Sequence, residues 1–283
     1  MRYESREIHV DYHKAGAVHQ GEQPILHAYL LDKSPAMPLC STRPAVIICP
    51  GGGYTFKSDR EAEPIAMKFL AEGIHAFVLQ YSVAPSRYPC AVLELAAAVK
   101  VVRENAKEFG VYPEQIYIAG FSAGGHLCAT LGTLWDEPVF EQVLGNGQLK
   151  NWRPDGMILS YPVITLGEFG HKGSRDSLLG PDASAEMIHA LSLENRVSTK
   201  TVPAYLWHTY EDKGVPVESA LLFATALRRS GISLELHIFE KGVHGLALCN
   251  EVTASSAEHL EPDNAEWIDM AIRWVKRRRE AAN

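Results

Sequence analysis

Ile116-Tyr117-Ile118-Ala119-Gly120-Phe121-Ser122-Ala123-Gly124-Gly125, followed after His126 by the apolar Leu127-Cys128-Ala129-Thr130-Leu131, decides the reading of this chain. A short apolar strand runs into a serine ringed by small residues, and a helical run starts at once. A serine on so tight a strand-to-helix turn occupies strained backbone space, and side chains two positions to either side would collide with neighbouring elements. The turn lifts the hydroxyl clear of the sheet and sets it at a helix N-terminus, where unpaired N–H groups favour developing negative charge. Ser122 is therefore the candidate nucleophile. His126, one turn further on, falls beneath or beside the serine and reads as structural.

Outward from this stretch, extended apolar runs alternate with helical ones. Residues 9–12 and 25–31 read as opening strands, and 45–49 as a strand apolar on both faces, as in a parallel sheet. Residues 62–70 read as a helix, 75–81 as a strand, and 93–109 as a helix whose stripe is carried by Leu93, Ala97 and Val101. Beyond the serine, 157–160, 204–208 and 234–239 read as strands, with helices over 218–229 and 263–279. This alternation predicts the α/β class: a mostly parallel, doubly wound sheet of about eight strands with helices on both faces, in one domain over residues 1–283. Residues 163–202 break the pattern after the sixth strand. They contain Gly167, Gly170, Gly173, Gly180 and Pro181, with a short helix expected over 183–193. An excursion of that length either decorates the surface or forms a small lid that serves a site.

Composition narrows the function classes. The 283 residues are 46% apolar and 22% charged, enough for a substantial core, which excludes disorder and fibrous folds. A net charge of -7 offers no footprint for a polyanion, so no nucleic-acid partner is expected, and the run Lys276-Arg277-Arg278-Arg279 reads as a solvated helix end. No stretch approaches 18 uncharged apolar residues and none follows residues 1–7, which predicts a cytoplasmic protein without a membrane partner. Cys40, Cys49, Cys90, Cys128 and Cys249 lie far apart without a CxxC pair, indicating neither a disulfide framework nor a zinc site. His9 and His13 share a face of an extended segment but lack further ligands, so no metal is expected.

A serine at its ordinary pKa needs a base, and the base needs an orienting acid. Glu211 and Asp212 follow the strand ending at His208, and His244, between Val243 and Gly245, follows the last strand. Asp212 reads as the acid: Glu211 is displaced by one residue, which changes its direction, and has a longer side chain. His208 reads as packing or capping that loop. The chain order Ser122, Asp212, His244, each just past a strand, matches the order a strand-to-helix nucleophile requires. Pro50-Gly51-Gly52-Gly53-Tyr54 follows the strand at 45–49 and leaves its amides unobstructed. Thr55-Phe56-Lys57 completes no nucleotide-phosphate motif, so the N–H groups of Gly52 and Gly53, with that of Ala123, read as an oxyanion hole and no cofactor is expected. A carboxylate-pair glycosidase would explain neither Ser122 nor the three glycines.

On these residues the chain resembles the α/β-hydrolase superfamily, within its esterase and lipase group, over about residues 40–250. Tyr81-Ser82-Val83-Ala84-Pro85 is similar to that group's Tyr-Arg-Leu-Ala-Pro segment with two substitutions. Pro50 stands where many members carry a histidine, which turns the resemblance from the hormone-sensitive-lipase branch toward the acetyl xylan esterase-like branch. Tyr161-Pro162-Val163-Ile164 and Ser174-Arg175-Asp176 point the same way. The resemblance implies hydrolysis of short acyl esters, acetyl above all, on a sugar or xylo-oligosaccharide, with a small-molecule ester as partner and a homodimer as the assembly. A general carboxylesterase for aryl or alkyl esters, a small peptidase of the same fold and a catalytically silent binding relative remain the alternatives. Tyr54, Phe56, Tyr161 and Tyr210 are the candidates for lining the substrate site.

Overall fold

Ala45, Ile47 and Cys49 point to one side of their strand and Val46 and Ile48 to the other, and all five are fully buried, so the run shows no polar alternation. The computed structural model describes residues 1–37, 41–145 and 148–280. Its strands are β1 (Arg2–Glu7), β2 (Ile25–Leu30), β3 (Arg43–Cys49), β4 (His75–Gln80), β5 (Val111–Phe121), β6 (Gly156–Ser160), β7 (Ala204–Thr209) and β8 (Leu234–Phe239). They form one eight-stranded sheet in the order β1-β2-β4-β3-β5-β6-β7-β8. β1 and β2 run antiparallel to their neighbours, and every pair from β4 to β8 is parallel. The helices are α1 (Glu63–Ala71), α2 (Cys90–Glu104), α3 (Ala106–Phe109), α4 (Ala123–Leu134), α5 (Pro138–Leu144), α6 (Lys172–Leu179), α7 (Ala185–Ala190), α8 (Glu218–Arg229) and α9 (Trp267–Glu280).

Two apolar clusters sandwich the sheet. On one face Ile47, Phe77, Ile118 and Leu206 pack against α2, α4 and α8 through Leu95, Leu131 and Phe223. On the other, Val46, Ile48, Phe121 and Trp207 pack against α1 and α9 through Phe69, Trp267 and Val275. The fold class is thus as the alternation predicts, and four details differ. The first strand is β1 at Arg2–Glu7, whereas residues 12–15 make a single 3-10 turn closed by Gly16 at φ 64. β1 is an edge strand with charged residues at Arg2, Glu4 and Arg6, so apolar periodicity passes over it. The predicted helix 93–109 is α2 and α3, broken at Asn105, whose side-chain amide donates to the Val101 carbonyl. Within 163–202 lies α6, whose Gly173, Ser174, Asp176 and Ser177 are weak helix formers, and α5 begins at a proline; neither shows in the pattern. Leu166, Leu178, Leu191 and Leu193 of that excursion are buried in the same cluster as α4.

β3 and β5 are neighbours with Cys49 opposite Gly120, and the chain winds away from this pair in opposite directions, to β4 on one side and β6 on the other. Such a switch point opens a crevice beyond the carboxyl ends of the strands. The loops after β3, β5, β7 and β8 all leave that edge. Cys40 lies outside the described residues; Cys49, Cys90, Cys128 and Cys249 are free and buried. Among the described residues no helix is long and apolar enough to cross a membrane.

Candidate active site

Ser122 sits between β5 and α4 at φ 52, ψ -117. Its N–H donates to the Ser160 carbonyl and its own carbonyl accepts from the N–H groups of His126 and Val163, so the strained turn is held from three sides. Crowding explains the neighbouring glycines. A Cβ at Gly120 would lie 2.1 Å from the Gly124 carbonyl oxygen, one at Gly124 2.1 Å from that of Cys49, and one at Gly125 2.6 Å from Pro162 Cβ.

His244 Nε2 lies 2.8 Å from Ser122 Oγ, and His244 Nδ1 lies 2.7 Å from Asp212 Oδ2. Asp212 Oδ1 accepts from the N–H groups of Gly214 at 2.8 Å and Val215 at 2.9 Å. His208 Nε2 approaches Asp212 Oδ2 at 3.2 Å while donating to the Val215 carbonyl at 2.9 Å. Burial alone would push the Asp212 carboxyl up, but the bonds from His208 and His244, the charge of His244 and the Val215 N–H outweigh it. The group is held well below the usual carboxylate range and stays ionised. An ionised Asp212 is acceptor-only, so Nδ1 of His244 donates to it, and Nε2 is the ring nitrogen that faces the serine hydroxyl. Glu211 is exposed and Asp212 is 5% exposed. Gly214 is the residue a close approach requires here, since a Cβ would lie 2.9 Å from His244 Cβ.

The loop after β3 runs beside the serine. Gly52 has φ 128, where a Cβ would meet the Phe56 carbonyl oxygen at 2.2 Å, and Gly53 has φ 62. Among the described residues no protein acceptor bonds the N–H of Gly52, Gly53 or Ala123. Gly51 N–H donates to Glu61 Oε2 at 2.8 Å, and the Tyr161 hydroxyl donates to Glu61 Oε1 at 2.7 Å. The Tyr161 oxygen in turn accepts from Ala247 N–H, and its ring meets His244 edge-on with centroids 5.2 Å apart. Burial pushes the Glu61 carboxyl up, and the bonds from Tyr161 and Gly51 pull against it. Glu61, 4% exposed, therefore ties the glycine loop to the floor beneath His244. Sequence reading misses it, because within Asp59-Arg60-Glu61 a carboxylate looks like part of a solvated loop.

A cavity of about 340 Å³ opens above these groups, lined by Gly52, Gly53, Phe56, Ser122, His171 and His244 among others. Phe56 is 60% exposed at its rim. Tyr210, 70% exposed, borders a second hollow of about 770 Å³ with Glu211, Lys213 and Glu258, which meets the first at Gly214 and His244. Tyr54 and Tyr161, expected to line the site, do not. Tyr54 is buried at 3% exposure and bonds His126 Nδ1 at 3.1 Å, and Tyr161 is buried at 1% with its hydroxyl committed as above. Both have positive φ, 58 and 37, and aromatic residues beside functional loops read alike whether they face inward or outward. His126 donates from Nε2 to the Leu191 carbonyl, and burial lowers its pKa to about 4, so it pins the excursion to α4 as a neutral ring. Among the described residues no group of three or more His, Cys, Asp or Glu side chains is disposed to hold a metal ion.

The BD-FAE family model matches residues 36–227. The chain is 38% identical over 220 residues to an endo-1,4-beta-xylanase B of Butyrivibrio fibrisolvens, covering 74% of this chain and 33% of that protein. It is 31% identical over 207 residues to an acetylxylan esterase of Xylanibacter ruminicola, covering 71% of this chain and 40% of that protein. The match thus spans between a third and two fifths of the length of these curated relatives. Among solved structures, an acetyl ester-xyloside bifunctional hydrolase from Caldicellulosiruptor lactoaceticus superposes with a TM-score of 0.77 at 39% identity, over 91% of this chain and 89% of that one.

Proposed function

The chain belongs to the BD-FAE family and has the α/β-hydrolase fold; from that premise we propose that it is an esterase, hydrolysing short acyl esters, acetyl above all, of a sugar or xylo-oligosaccharide through Ser122, His244 and Asp212. The observation that carries the reading is the continuous line of contacts from Asp212 Oδ2 through both nitrogens of His244 to Ser122 Oγ.

In this reading His244 Nε2 takes the hydroxyl proton as Ser122 Oγ attacks the ester carbonyl, and Asp212 stabilises the imidazolium that forms. The oxyanion turns toward the N–H groups of Gly52, Gly53 and Ala123, each donor contributing on the order of 3 kcal/mol to the transition state. His244 then gives its proton to the departing alkoxide, leaving an acyl-Ser122. Water, deprotonated by the same nitrogen, attacks the acyl group, and collapse returns the acid and the free serine. The names of the acetylxylan esterase and of the acetyl ester-xyloside hydrolase support acetyl on a xylose-based alcohol. The reading carries a small-molecule ester as partner, no cofactor, a cytoplasmic setting and a homodimer.

Initial rates on p-nitrophenyl acetate, butyrate and octanoate beside acetylated xylo-oligosaccharide test it, with Ser122→Ala as the blank. Expected are turnover of the sugar acetate, a fall beyond butyrate, and a loss of at least about 10⁴-fold in folded Ser122→Ala. Full activity in that variant would remove Ser122 as nucleophile. Preference for longer aryl esters with the sugar acetate ignored would make the protein a general carboxylesterase.

A further inference from the structure

His171 is the one side chain from the excursion after β6 that the structure brings to the wall of the Ser122 cavity. It is the N-cap of α6, and its Nδ1 accepts from the Ser174 N–H at 3.1 Å and lies 2.8 Å from Ser174 Oγ. Helix N-caps are normally Ser, Thr, Asp or Asn, and histidine is a poor choice if capping is the whole task. A residue that breaks a local rule this way points to a second role. The capping bond also fixes the chemistry of the other edge of the ring. Because a backbone N–H donates to Nδ1, the proton of the neutral imidazole is on Nε2. Burial and the nearby His244 lower the pKa of His171, which keeps the ring neutral.

Among the described residues no protein group bonds Nε2, and the atom is not sealed from solvent. The side-chain atoms that are sealed from solvent and unpartnered among the described residues are Arg60 Nη2, Gln115 Oε1, Glu194 Oε2 and His208 Nδ1, and His171 Nε2 is not one of them. The ring also lies against the glycine loop, since a Cβ on Gly53 would come within 4.0 Å of its Cε1. The ring that carries this neutral donor thus lines the cavity that holds the serine hydroxyl. An acetyl group has no oxygen beyond the carbonyl, which the loop amides would take. The remaining acceptors of a sugar acetate are the bridging ester oxygen, common to every ester, and the hydroxyl and ring oxygens of its alcohol half, which alone distinguish a sugar from a plain alcohol.

We propose that His171 sets substrate specificity by donating a hydrogen bond from Nε2 to a hydroxyl or ring oxygen of the alcohol half of the ester, an inference that rests on the esterase reading above. The excursion is then a substrate-reading element, selecting polyhydroxylated alcohols over plain aryl or alkyl ones. A site built to bond such an oxygen discriminates against alcohols that lack it.

His171→Asn tests this without disturbing the fold, because asparagine caps a helix well yet is too short to present a donor where Nε2 stands. The quantity to read is the ratio of kcat/KM on an acetylated methyl β-xyloside to kcat/KM on p-nitrophenyl acetate, in wild type and variant. The expected result is a fall of that ratio by at least about fivefold, the size of a lost neutral hydrogen bond. An unchanged ratio, whether both rates hold or both drop together, overturns the proposal, the second case meaning that His171 serves the oxyanion instead. If the wild type hydrolyses neither ester, the esterase reading falls and this inference falls with it.

Discussion

Ser122 occupies φ 52, ψ -117, a conformation that costs a residue with a Cβ about 1–3 kcal/mol. Comparing Ser122→Gly with Ser122→Ala isolates that cost, since both lack the hydroxyl. The glycine variant is expected to be about 1 kcal/mol more stable in urea titration, after allowing for the greater freedom of its unfolded chain. Equal midpoints would mean that the turn is not strained. Asp212 faces four donors, and an amide in its place would set an N–H₂ against at least one of them and release the tautomer of His244. Asp212→Asn should therefore lower kcat by about 10⁴-fold. Glu211→Gln, at an exposed position, should stay within about twofold on the same assay. The reverse order would move the acid to Glu211. At this scale the sequence reads well for residues fixed by strand-to-loop position, as Ser122, Asp212 and His244 are. It reads poorly for Tyr54, Tyr161 and Glu61, whose direction depends on what packs behind them.

The elements meet at the carboxyl ends of β3 and β5, where backbone approaches backbone. Gly124→Ala would drive a Cβ to 2.1 Å from the Cys49 carbonyl oxygen, a contact that no side-chain movement relieves, and should cost more than about 3 kcal/mol. Gly16→Ala meets nothing within 4 Å and carries only the strain of φ 64, so about 1 kcal/mol is expected; thermal melts of the pair check the contrast. Glu61 joins two elements in another way, accepting both from Gly51 on the glycine loop and from Tyr161 beyond β6. It acts as a positioning residue. Glu61→Gln has one carbonyl for two donors and should lower kcat about 10- to 100-fold with KM little changed. A role in stability alone would move the melting temperature and leave kcat in place. The strands of the parallel sheet and α8 were legible from periodicity, because burial on both faces or on one stripe is written into composition. β1, α5 and α6 were not, since an edge strand and short loop-borne helices owe their form to what they lie against.

For the molecule as a whole, two buried histidines set an acid limit. Burial, aided at His75 by the charge of Arg43, lowers the pKa values of His75 and His126 to about 4, against an ordinary value of 6.5. Between those values the unfolded chain binds protons that the folded chain refuses. Their contribution is fully present above about pH 6.5 and falls as pH drops toward 4, by up to about 1.4 kcal/mol per pH unit for each. The depressed Asp212 carboxyl adds a further loss below the ordinary carboxylate range. Melting temperature should fall steadily from pH 7 to pH 4.5, and the slope should be shallower in His75→Gln. A flat profile would mean that these rings protonate without opening the fold. The sequence by itself determined the α/β class, the mostly parallel sheet and the order of serine, aspartate and histidine, each just past the end of a strand, because hydrophobic periodicity and turn chemistry are local properties of the chain. Only the tertiary structure decided that Glu61 braces the glycine loop, that Tyr54 and Tyr161 face inward and that His171 reaches the cavity, because each depends on a contact between segments distant in sequence whose meeting no local pattern encodes.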